Sequence, residues 1–385
     1  MRRIQEREVN IVIAIDSFKG SLTSLQAGDA VKEAVLKWNR HAEVVVCPLA
    51  DGGEGTVEAL SNGLGGEIVE LEVSGPLLKP VYARYCILKE QCTAVIEMAS
   101  AAGITLLSAK ERNPLFTTTY GVGEMIRDAI KRGCRHFIVG IGGSATNDGG
   151  IGMLQALGFE FLDEHGQEIP YGAKGMEHLR SISTENVISE LSECTFRIAC
   201  DVTNPLCGDE GCSAVYGPQK GATLEMIKDM DFWLQNYAEL AKRVSDKADE
   251  KYPGGGAAGG LGFAFLSFLN ARLESGIHII LEETNLEELI KQADIVVTGE
   301  GRLDSQTVMG KAPIGVAKMA KKYGKKVIAF SGCVTQDAEV CNDHGIDAFF
   351  PIMRSVVSLE EALNTDNAYN NLLSTAYQVF RLLNI

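Results

Sequence analysis

Short, continuous apolar runs are separated by helical patterns along much of the chain. Five of the runs are rich in β-branched residues and lack the period-two alternation of a half-exposed strand, so they predict strands buried on both faces of a parallel sheet. They lie at 11–15, 43–49, 295–298, 326–330 and 348–352. Helical patterns follow them at 24–38, 56–64, 312–323, 359–363 and 369–383. This succession of βα units predicts an α/β fold with a doubly wound parallel sheet.

Two of the βα units lie near the N-terminus and three near the C-terminus. We therefore predict one doubly wound domain formed by residues 1–65 and 286–385, interrupted by a second, inserted α/β domain at 66–285. If the strand order is flavodoxin-like, 2-1-3-4-5, the third strand pairs with the first. The loops after Ile15 and Thr298 would then be neighbours, although they lie far apart in the sequence.

The inserted region has a mixed pattern. Apolar runs predict strands at 67–73, 81–89, 94–98, 137–141, 196–200 and 214–216. Periodicity near 3.6 residues predicts helices at 119–132, 226–244 and 263–273, and a helix that starts within 151–157.

The stretch FIVGIGGSATNDGGIGML (137–154) places six glycines between a predicted strand and a predicted helix. Free N–H groups in such a turn, together with the helix dipole, make an anion-binding site. The candidate residues are Gly142, Gly143, Ser144, Asn147 and Asp148. A tight turn that only allows the helix and strand to pack closely explains the glycines equally well. A second stretch, GGGAAGGLG (254–262), predicts either a further anion-binding turn at Gly259 and Gly260 or a bare linker.

Charged residues cluster where predicted strands end, which is where ligands bind in open α/β sheets. The loops are DSFKGS (16–21), DGGEGT (51–56), DVTNP (201–205) and GEGRLDSQT (299–307). A single carboxylate or hydroxyl at such a place can merely cap a helix, and Ser24 is predicted to do so. Four acidic loops at strand ends favour function instead. Carboxylates, Lys19 and glycine turns suit phosphoryl transfer, which needs in-line positioning, a cation and a base, and spare carboxylates suit Mg²⁺.

Composition excludes several classes of partner. The net charge of −15 and the pI near 5.0 argue against binding to nucleic acid. The ten cysteines lack the spacing of a zinc site, and the six histidines lie outside the glycine-rich loops. No apolar run reaches the length of a membrane span, and residues 1–8 lack the apolar core of a signal peptide. We therefore expect a cytoplasmic protein with no membrane partner.

Two nucleotide-binding fingerprints are absent from the sequence. Gly310 and Lys311 are followed by Ala312, which departs from the P-loop pattern, and no GxGxxG follows Ile15. A P-loop NTPase and a nicotinamide-dependent dehydrogenase are therefore disfavoured. From the residues alone, the prediction is an acidic, phosphate-handling or anion-handling cleft between two α/β domains.

Seven of the loops, taken together, resemble one family. They are IDSFKGSLTS (15–24), PLADGGEGT (48–56), GIGGSATNDGGIGML (140–154), CDVTNPLCG (200–208), GPQKGA (217–222), GAAGGLG (256–262) and TGEGRLDSQT (298–307). In this order they resemble glycerate kinases of the bacterial glyoxylate and glucarate pathways, from about residue 9 to residue 355. The resemblance implies ATP as phosphoryl donor, Mg²⁺ as cofactor and D-glycerate as acceptor, generally at its 2-hydroxyl. It also implies a flavodoxin-like domain that carries a restriction-endonuclease-like insertion.

With this resemblance we expect direct in-line transfer in the cleft between the domains. Asp201 is the preferred base and Asp16 the alternative, while Lys19 would contact a phosphate or the substrate carboxylate. Glu300 and Asp304 are the predicted Mg²⁺ ligands. The remaining predicted binding residues are Ser17, Asp51, Gly52, Gly53, Glu54, Asn204, Arg302 and Thr307.

Two alternatives stay open from the sequence. The chain could be a kinase of another small hydroxy acid, or a non-catalytic, anion-binding homologue. A homo-oligomer is compatible with the sequence, which does not determine the number of subunits.

Overall fold

The structure is a computed structural model of the 385-residue chain, and it describes residues 8–49, 55, 57, 59–61, 65–89 and 92–383. The predicted binding residues Asp51, Gly52, Gly53 and Glu54 lie outside the described residues. The predicted helix at 56–64 lies largely outside them as well.

Strands and helices interleave along the described part of the chain. The strands are β1 (Asn10–Ile13), β2 (Glu43–Val46), β3 (Glu67–Ser74), β4 (Pro80–Leu88), β5 (Thr93–Glu97), β6 (His136–Gly140), β7 (Glu160–Leu162), β8 (Ser181–Ser183), β9 (Thr195–Ala199), β10 (Ala271–Glu274), β11 (Ile295–Leu303), β12 (Lys326–Val334) and β13 (Ala348–Pro351). The helices are α1 (Ser24–Trp38), α2 (Ala99–Ala102), α3 (Tyr120–Lys131), α4 (Ile151–Ala156), α5 (Cys212–Tyr216), α6 (Leu224–Ala241), α7 (Ala257–Phe268), α8 (Gly276–Glu283), α9 (Leu286–Gln292), α10 (Ala312–Lys322), α11 (Val340–Asp343), α12 (Leu359–Leu363) and α13 (Thr365–Leu382).

The chain divides into two compact units. The first contains Met1–Asp51, Glu58–Leu64 and Ile277–Ile385, and the second contains Gly52–Val57 and Gly65–Gly276. Residues 277–285, which we assigned to the inserted domain, group with the first unit. The limits of the two domains stay a prediction.

The first unit contains a five-stranded parallel sheet in the order β2-β1-β11-β12-β13. Counted along the chain this order is 2-1-3-4-5, so β1 lies between β2 and β11. Ile11 is in register with Ile295 of β11. The apolar faces of the strands are buried against α1 and α13 in a core that includes Val31, Phe330 and Leu372. The continuous apolar runs of β1, β11 and β12 thus form interior strands of a parallel sheet, as their pattern predicts. The prediction of burial on both faces is wrong for β2 and β13, which are the edge strands and are only partly buried.

The N-cap of helix α1 lies one residue before the predicted cap. The N-cap is Thr23, whose hydroxyl accepts from the Gln26 N–H while the Gln26 side chain accepts from the Thr23 N–H, which makes a capping box. The prediction that Ser24 is the cap is therefore wrong. The buried Ser24 hydroxyl donates to the Ile15 carbonyl (2.5 Å) and accepts from the Leu49 N–H (2.7 Å), so it ties the ends of β1 and β2 together.

The second unit contains a six-stranded mixed sheet in the order β3-β4-β5-β6-β9-β10. The strands β5, β6, β9 and β10 are parallel, and β4 and β3 are added antiparallel to them. A separate antiparallel pair joins β7 and β8. The rings of Phe137 and Phe196 stack at 4.7 Å, and Phe265 packs on Phe196 at 5.7 Å. These aromatic contacts join the sheet to α7.

Two predicted elements of the second unit are wrong. Residues 214–216 belong to helix α5 and not to a strand. The prediction failed because three residues are too few to show whether the hydrophobic period is that of a strand or of a helix. The predicted helix at 263–273 ends at Phe268, and β10 then pairs with β9 at the edge of the sheet. Among the described residues, no helix has both the length and the apolar character needed to cross a membrane.

Candidate active site

The loops that follow β1 and β11 are neighbours in the first unit, as the strand order predicts. The Ala14 N–H donates to the Val297 carbonyl (2.7 Å), and the Asp16 N–H donates to the Gly299 carbonyl (2.9 Å). The Asp16 carboxylate accepts from the Ser17 N–H at 2.6 Å, and both residues are half-buried. The β1 loop is therefore held against β11, with Asp16 and Ser17 at the carboxyl end of the sheet.

Lys19 lies next to the same segment of β11. A Cβ atom added to Gly301 would be 3.3 Å from the backbone nitrogen of Lys19 and 3.4 Å from the Phe18 Cα. Phe18 is buried, whereas Lys19 is exposed to solvent. The small residue thus allows the two loops to touch, and Lys19 and Glu300 lie in one region of the first unit.

Glu300 is the centre of a buried polar network. The residue is only 8% exposed, and its carboxylate accepts from the Thr307 hydroxyl at 2.7 Å. The Lys311 ammonium lies 3.3 Å from the other Glu300 oxygen and 3.7 Å from a carboxylate oxygen of Asp304. Burial raises the pKa of the Glu300 carboxyl above its usual range, while the Thr307 hydrogen bond and the Lys311 charge act in the opposite direction.

The turn after β11 is held by its own side chains. The Asp304 N–H donates to the Thr307 hydroxyl (3.2 Å), and the Gln306 N–H donates to the Asp304 carboxylate (3.0 Å). Arg302, an exposed residue, pairs with Asp304 at 3.2 Å. Thr307 is completely buried, so this predicted binding residue contacts Glu300 in the interior of the unit and does not reach the surface.

Lys311 was not predicted from the sequence. It precedes α10 and is the N-cap residue of that helix, where it lies between the two predicted metal ligands. Ala312 follows Gly310 and Lys311, so the P-loop pattern is absent and assigns Lys311 no role. A lysine at the start of a helix that follows an acidic loop is the sequence signal that could have identified it.

Glu300 and Asp304 fit a hard divalent cation. Mg²⁺ in proteins commonly takes one or two carboxylates and completes its shell with water and phosphate oxygens. Here two carboxylates already share one cationic group, the Lys311 ammonium, within 3.7 Å. Within the described ranges, no three His, Cys, Asp or Glu side chains are arranged around a common metal position. A Mg²⁺ ion held by this pair would therefore need ligands from a nucleotide and water.

The glycine-rich stretch of the second unit has an exposed part and a buried part. Gly142 and Gly143 are exposed, whereas residues 144–150 are buried. The loop is anchored to residues 102–104, because Ile104 N–H donates to the Gly143 carbonyl and Ala145 N–H to the Ala102 carbonyl, both at 2.9 Å. In the described part of the chain, no acceptor pairs with the N–H groups of Gly142 and Gly143. These two amides remain available to an anion.

Asp148 organises the buried part of the loop. Its carboxylate accepts from the N–H and hydroxyl of Thr119 (2.8 and 2.9 Å) and from the N–H groups of Gly150 (3.1 Å) and Gly152 (3.3 Å). It is 1% exposed. Burial raises the pKa of the Asp148 carboxyl, and the four donors oppose that shift. Its oxygens are thus used within the protein.

The neighbouring polar residues are buried as well. The Asn147 amide donates to the Ser213 hydroxyl (2.9 Å), and the Lys220 ammonium donates to the Thr146 carbonyl (2.6 Å). Ser144 is 8% exposed and lies opposite Gly103 in an isolated antiparallel bridge. Lys220 was not predicted from the sequence, although it stands inside the GPQKGA segment.

Gly259 and Gly260 are buried against the same loop. A Cβ on Gly259 would lie 2.1 Å from the Thr146 oxygen, and a Cβ on Gly260 would lie 2.8 Å from the Gly149 Cα. The chain here has positive φ at Ala258, Gly259 and Gly260, which interrupts α7. Close packing of two protein segments accounts for both glycines, and their predicted role as a second anion cradle stays a prediction.

The loop after β9 presents one predicted residue to solvent and uses another internally. Asp201 is exposed and follows the strand by two residues. The Asn204 amide donates to the Glu210 carbonyl (2.9 Å), and its oxygen accepts from the Tyr216 hydroxyl (2.6 Å). Asn204 therefore shapes the loop, while the role of Asp201 as the base stays a prediction.

Comparison with known proteins gives a consistent result. A sequence model of the glycerate kinase family matches residues 11–384. The chain is 45% identical to glycerate kinase of Haemophilus influenzae, over 97% of this chain and 99% of the relative, and 45% identical to glycerate 2-kinase of Escherichia coli K12, over 98% of each. A crystal structure assigned as glycerate kinase 2 of Salmonella typhimurium LT2 superposes with a TM-score of 0.89 at 46% identity, over 98% of each chain. The chain therefore belongs to the glycerate kinase family and is a kinase.

Proposed function

We propose that the protein transfers the γ-phosphoryl group of ATP to the 2-hydroxyl of D-glycerate, in a Mg²⁺-dependent reaction that yields 2-phosphoglycerate. The observation that carries this proposal is the cluster at the carboxyl ends of β1 and β11. It combines the exposed Lys19, the Glu300–Asp304 carboxylate pair and Lys311 within a short segment of sheet edge. Phosphoryl transfer needs positioned cations and metal ligands more than covalent chemistry.

Each part of the cluster has a proposed role. Glu300 and Asp304 would hold Mg²⁺, which, when bound, neutralises charge on the transferring phosphate. Thr307 holds one Glu300 oxygen in place. Lys19, as a flexible point charge, would bind a phosphate or the glycerate carboxylate. The N–H groups of the exposed residues Gly142 and Gly143 in the second unit would bind the other anion.

The base stays a proposal between two residues. Asp201 is exposed at the end of β9, whereas Asp16 lies beside Gly299 in the first unit. A positioned base contributes roughly a hundredfold or more to the rate. We expect Asp201→Asn to lower kcat by at least about that factor while the circular dichroism spectrum is unchanged. Should Asp16→Asn show this loss and Asp201→Asn turn over normally, the base is Asp16.

The position of phosphorylation is proposed from a relative. The Escherichia coli protein is named glycerate 2-kinase. Phosphorus NMR of the product formed from D-glycerate and ATP tests the proposal directly, with a chelator in a parallel sample. A 2-phosphoglycerate resonance that depends on Mg²⁺ is expected. A 3-phosphoglycerate resonance, or turnover only with another hydroxy acid from a panel, would contradict it.

We also propose the finer description of the fold. The 2-1-3-4-5 order of the first sheet supports the term flavodoxin-like for that unit. The restriction-endonuclease-like description of the inserted domain rests on the family resemblance. In-line transfer without a phosphoenzyme, and its place in an interdomain cleft, stay predictions.

A further inference from the structure

Lys220 is an unusual lysine because it is 2% exposed. It ends a short 3₁₀ turn, Pro218–Lys220, in the second unit. Its ammonium donates to the Thr146 carbonyl at 2.6 Å, which joins two segments 74 residues apart in the sequence. Lysine is almost never fully buried unless its ammonium has a partner, and here the Thr146 carbonyl is that partner.

The Thr146 carbonyl lies where two backbone segments meet. Its oxygen occupies the space in which a Gly259 side chain would start, 2.1 Å from the ideal Cβ position. The Gly149 N–H donates to the Gly259 carbonyl (2.9 Å) on the other side of the same contact. Lys220 therefore binds the loop at the point that determines how residues 144–150 pack against α7.

The surroundings of Lys220 are polar and incompletely paired. Among the described residues, the Thr146 hydroxyl and the Asn147 side-chain oxygen are buried without a hydrogen-bond partner. Asp148 and Cys212 are the ionisable groups that act on the Lys220 charge. Burial lowers the pKa of Lys220 to about 8, so its charged form is unfavourable in this place. A methionine of similar length would fill the space without that cost.

We propose that Lys220 is a positioning residue for the phosphoryl transfer proposed above. Through the Thr146 carbonyl it holds residues 144–150, the part of the loop that directly follows the exposed Gly142 and Gly143. The ligand is a phosphate or carboxylate of the substrates. The inference rests on the proposed function for its chemistry, and on the described contacts for its geometry.

The test compares Lys220→Met with Lys228→Met, which removes an exposed lysine from α6 of the same unit. Isothermal titration calorimetry with MgATP and with D-glycerate is combined with kcat and KM for both substrates. We expect Lys220→Met to remain folded with a melting temperature within a few degrees of the parent. It should bind one of the two substrates at least tenfold more weakly and lose at least tenfold in kcat/KM, whereas Lys228→Met matches the parent.

A second variant covers the case in which the first does not fold. Lys220→Gln keeps a hydrogen-bond donor and removes the charge. If both variants are unfolded at pH 7, Lys220 is only structural and the inference is wrong. Folded variants with parental affinities and kcat/KM overturn it as well. A parent enzyme that binds MgATP but does not phosphorylate D-glycerate refutes the proposed function instead, and the MgATP titrations of the variants still test Lys220.

Discussion

Two buried carboxylates of this protein have different kinds of partner. Asp148 accepts from four donors of the surrounding loops, three of them backbone N–H groups. Glu300 accepts from one hydroxyl and faces the partly exposed Lys311 ammonium. A carboxylate saturated by backbone donors stabilises a loop, whereas one paired with a partly exposed lysine can exchange that ammonium for another cation.

Glu300 should matter more to turnover than to folding. The pKa of Glu300 is higher in the folded protein than in the unfolded chain. Between these two pKa values the folded protein binds more protons than the unfolded chain, so its stability falls as pH rises. Ionised Glu300 therefore costs stability at neutral pH. Glu300→Gln removes this cost and keeps an acceptor for Thr307. We expect no drop in the melting temperature and a loss of Mg²⁺-dependent kcat by about a hundredfold, comparable to other lost electrostatic contacts.

Differential scanning fluorimetry and steady-state kinetics measure the two effects on one sample. Glu287→Gln, on α9 and away from the carboxyl ends of the strands, is a matched control. Normal turnover in Glu300→Gln would remove Glu300 from the site, and a strongly destabilised variant would make its role structural.

The lowered pKa of Lys220 predicts a pH dependence of stability. The folded protein loses this proton near pH 8, whereas the unfolded chain keeps it up to the ordinary value of 10.5. The unfolded state therefore binds more protons between these values, and the contribution of Lys220 to the free energy of unfolding rises with pH. Between pH 7 and 9.5 we expect a gain of about 2 kcal/mol.

Urea denaturation of the parent and of Lys220→Met at both pH values isolates this contribution, because the buried cysteines and tyrosines titrate in both proteins. The difference between the two proteins should change by that amount in favour of the parent at high pH. An unchanged difference would mean that Lys220 keeps an ordinary pKa.

At the scale of single elements, the start of α1 combines two kinds of hydrogen bond. Thr23 and Gln26 form the solvent-facing capping box, and the buried Ser24 hydroxyl joins the ends of β1 and β2. Thr23→Ala should lower the free energy of unfolding by about 1 kcal/mol. Ser24→Ala leaves the Ile15 carbonyl and the Leu49 N–H without this partner and should cost about 2 kcal/mol.

Chemical denaturation of the two variants gives the comparison. The order of the two losses is the informative result, since a Ser24 hydroxyl that only capped the helix would cost no more than Thr23. Equal losses would contradict the bridging role.

Elements whose burial shows in their own hydrophobic pattern were predictable. The continuous apolar runs of β1, β11 and β12 identify interior strands, and α1 was predicted with its observed limits. Elements that depend on a partner were not. The β7–β8 pair is short, and β10 is a strand only because β9 offers it an edge. The same limit applies to the site, because the partners of Lys220 and Lys311 are decided by contacts that no local pattern contains.

At the scale of the whole molecule, the two units differ in how their chain segments are joined. The described part of the second unit is nearly continuous in sequence, whereas the first is built from both ends of the chain. Closing a long loop before a contact forms slows folding. We therefore expect the second unit to acquire its packing first during refolding.

The two tryptophans allow this order to be measured. Trp38 packs against Phe380 in the first unit, and Trp233 lies beside Lys174 in the second. In stopped-flow refolding, Trp38→Phe reports the second unit and Trp233→Phe reports the first. The fluorescence change of Trp38→Phe should come earlier. Coincident kinetics in the two variants, or an earlier fluorescence change in Trp233→Phe, would contradict the expected order.

The pairing of β1 with β11 also has a consequence for synthesis in the cell. Ile11 emerges from the ribosome about 280 residues before its neighbour Ile295. At common translation rates this interval is roughly 15–60 s. During it, the apolar β1 can pair with β2 but lacks its other neighbour, β11. We therefore expect the nascent N-terminal segment to bind a chaperone that shields exposed strands until the last quarter of the polypeptide arrives.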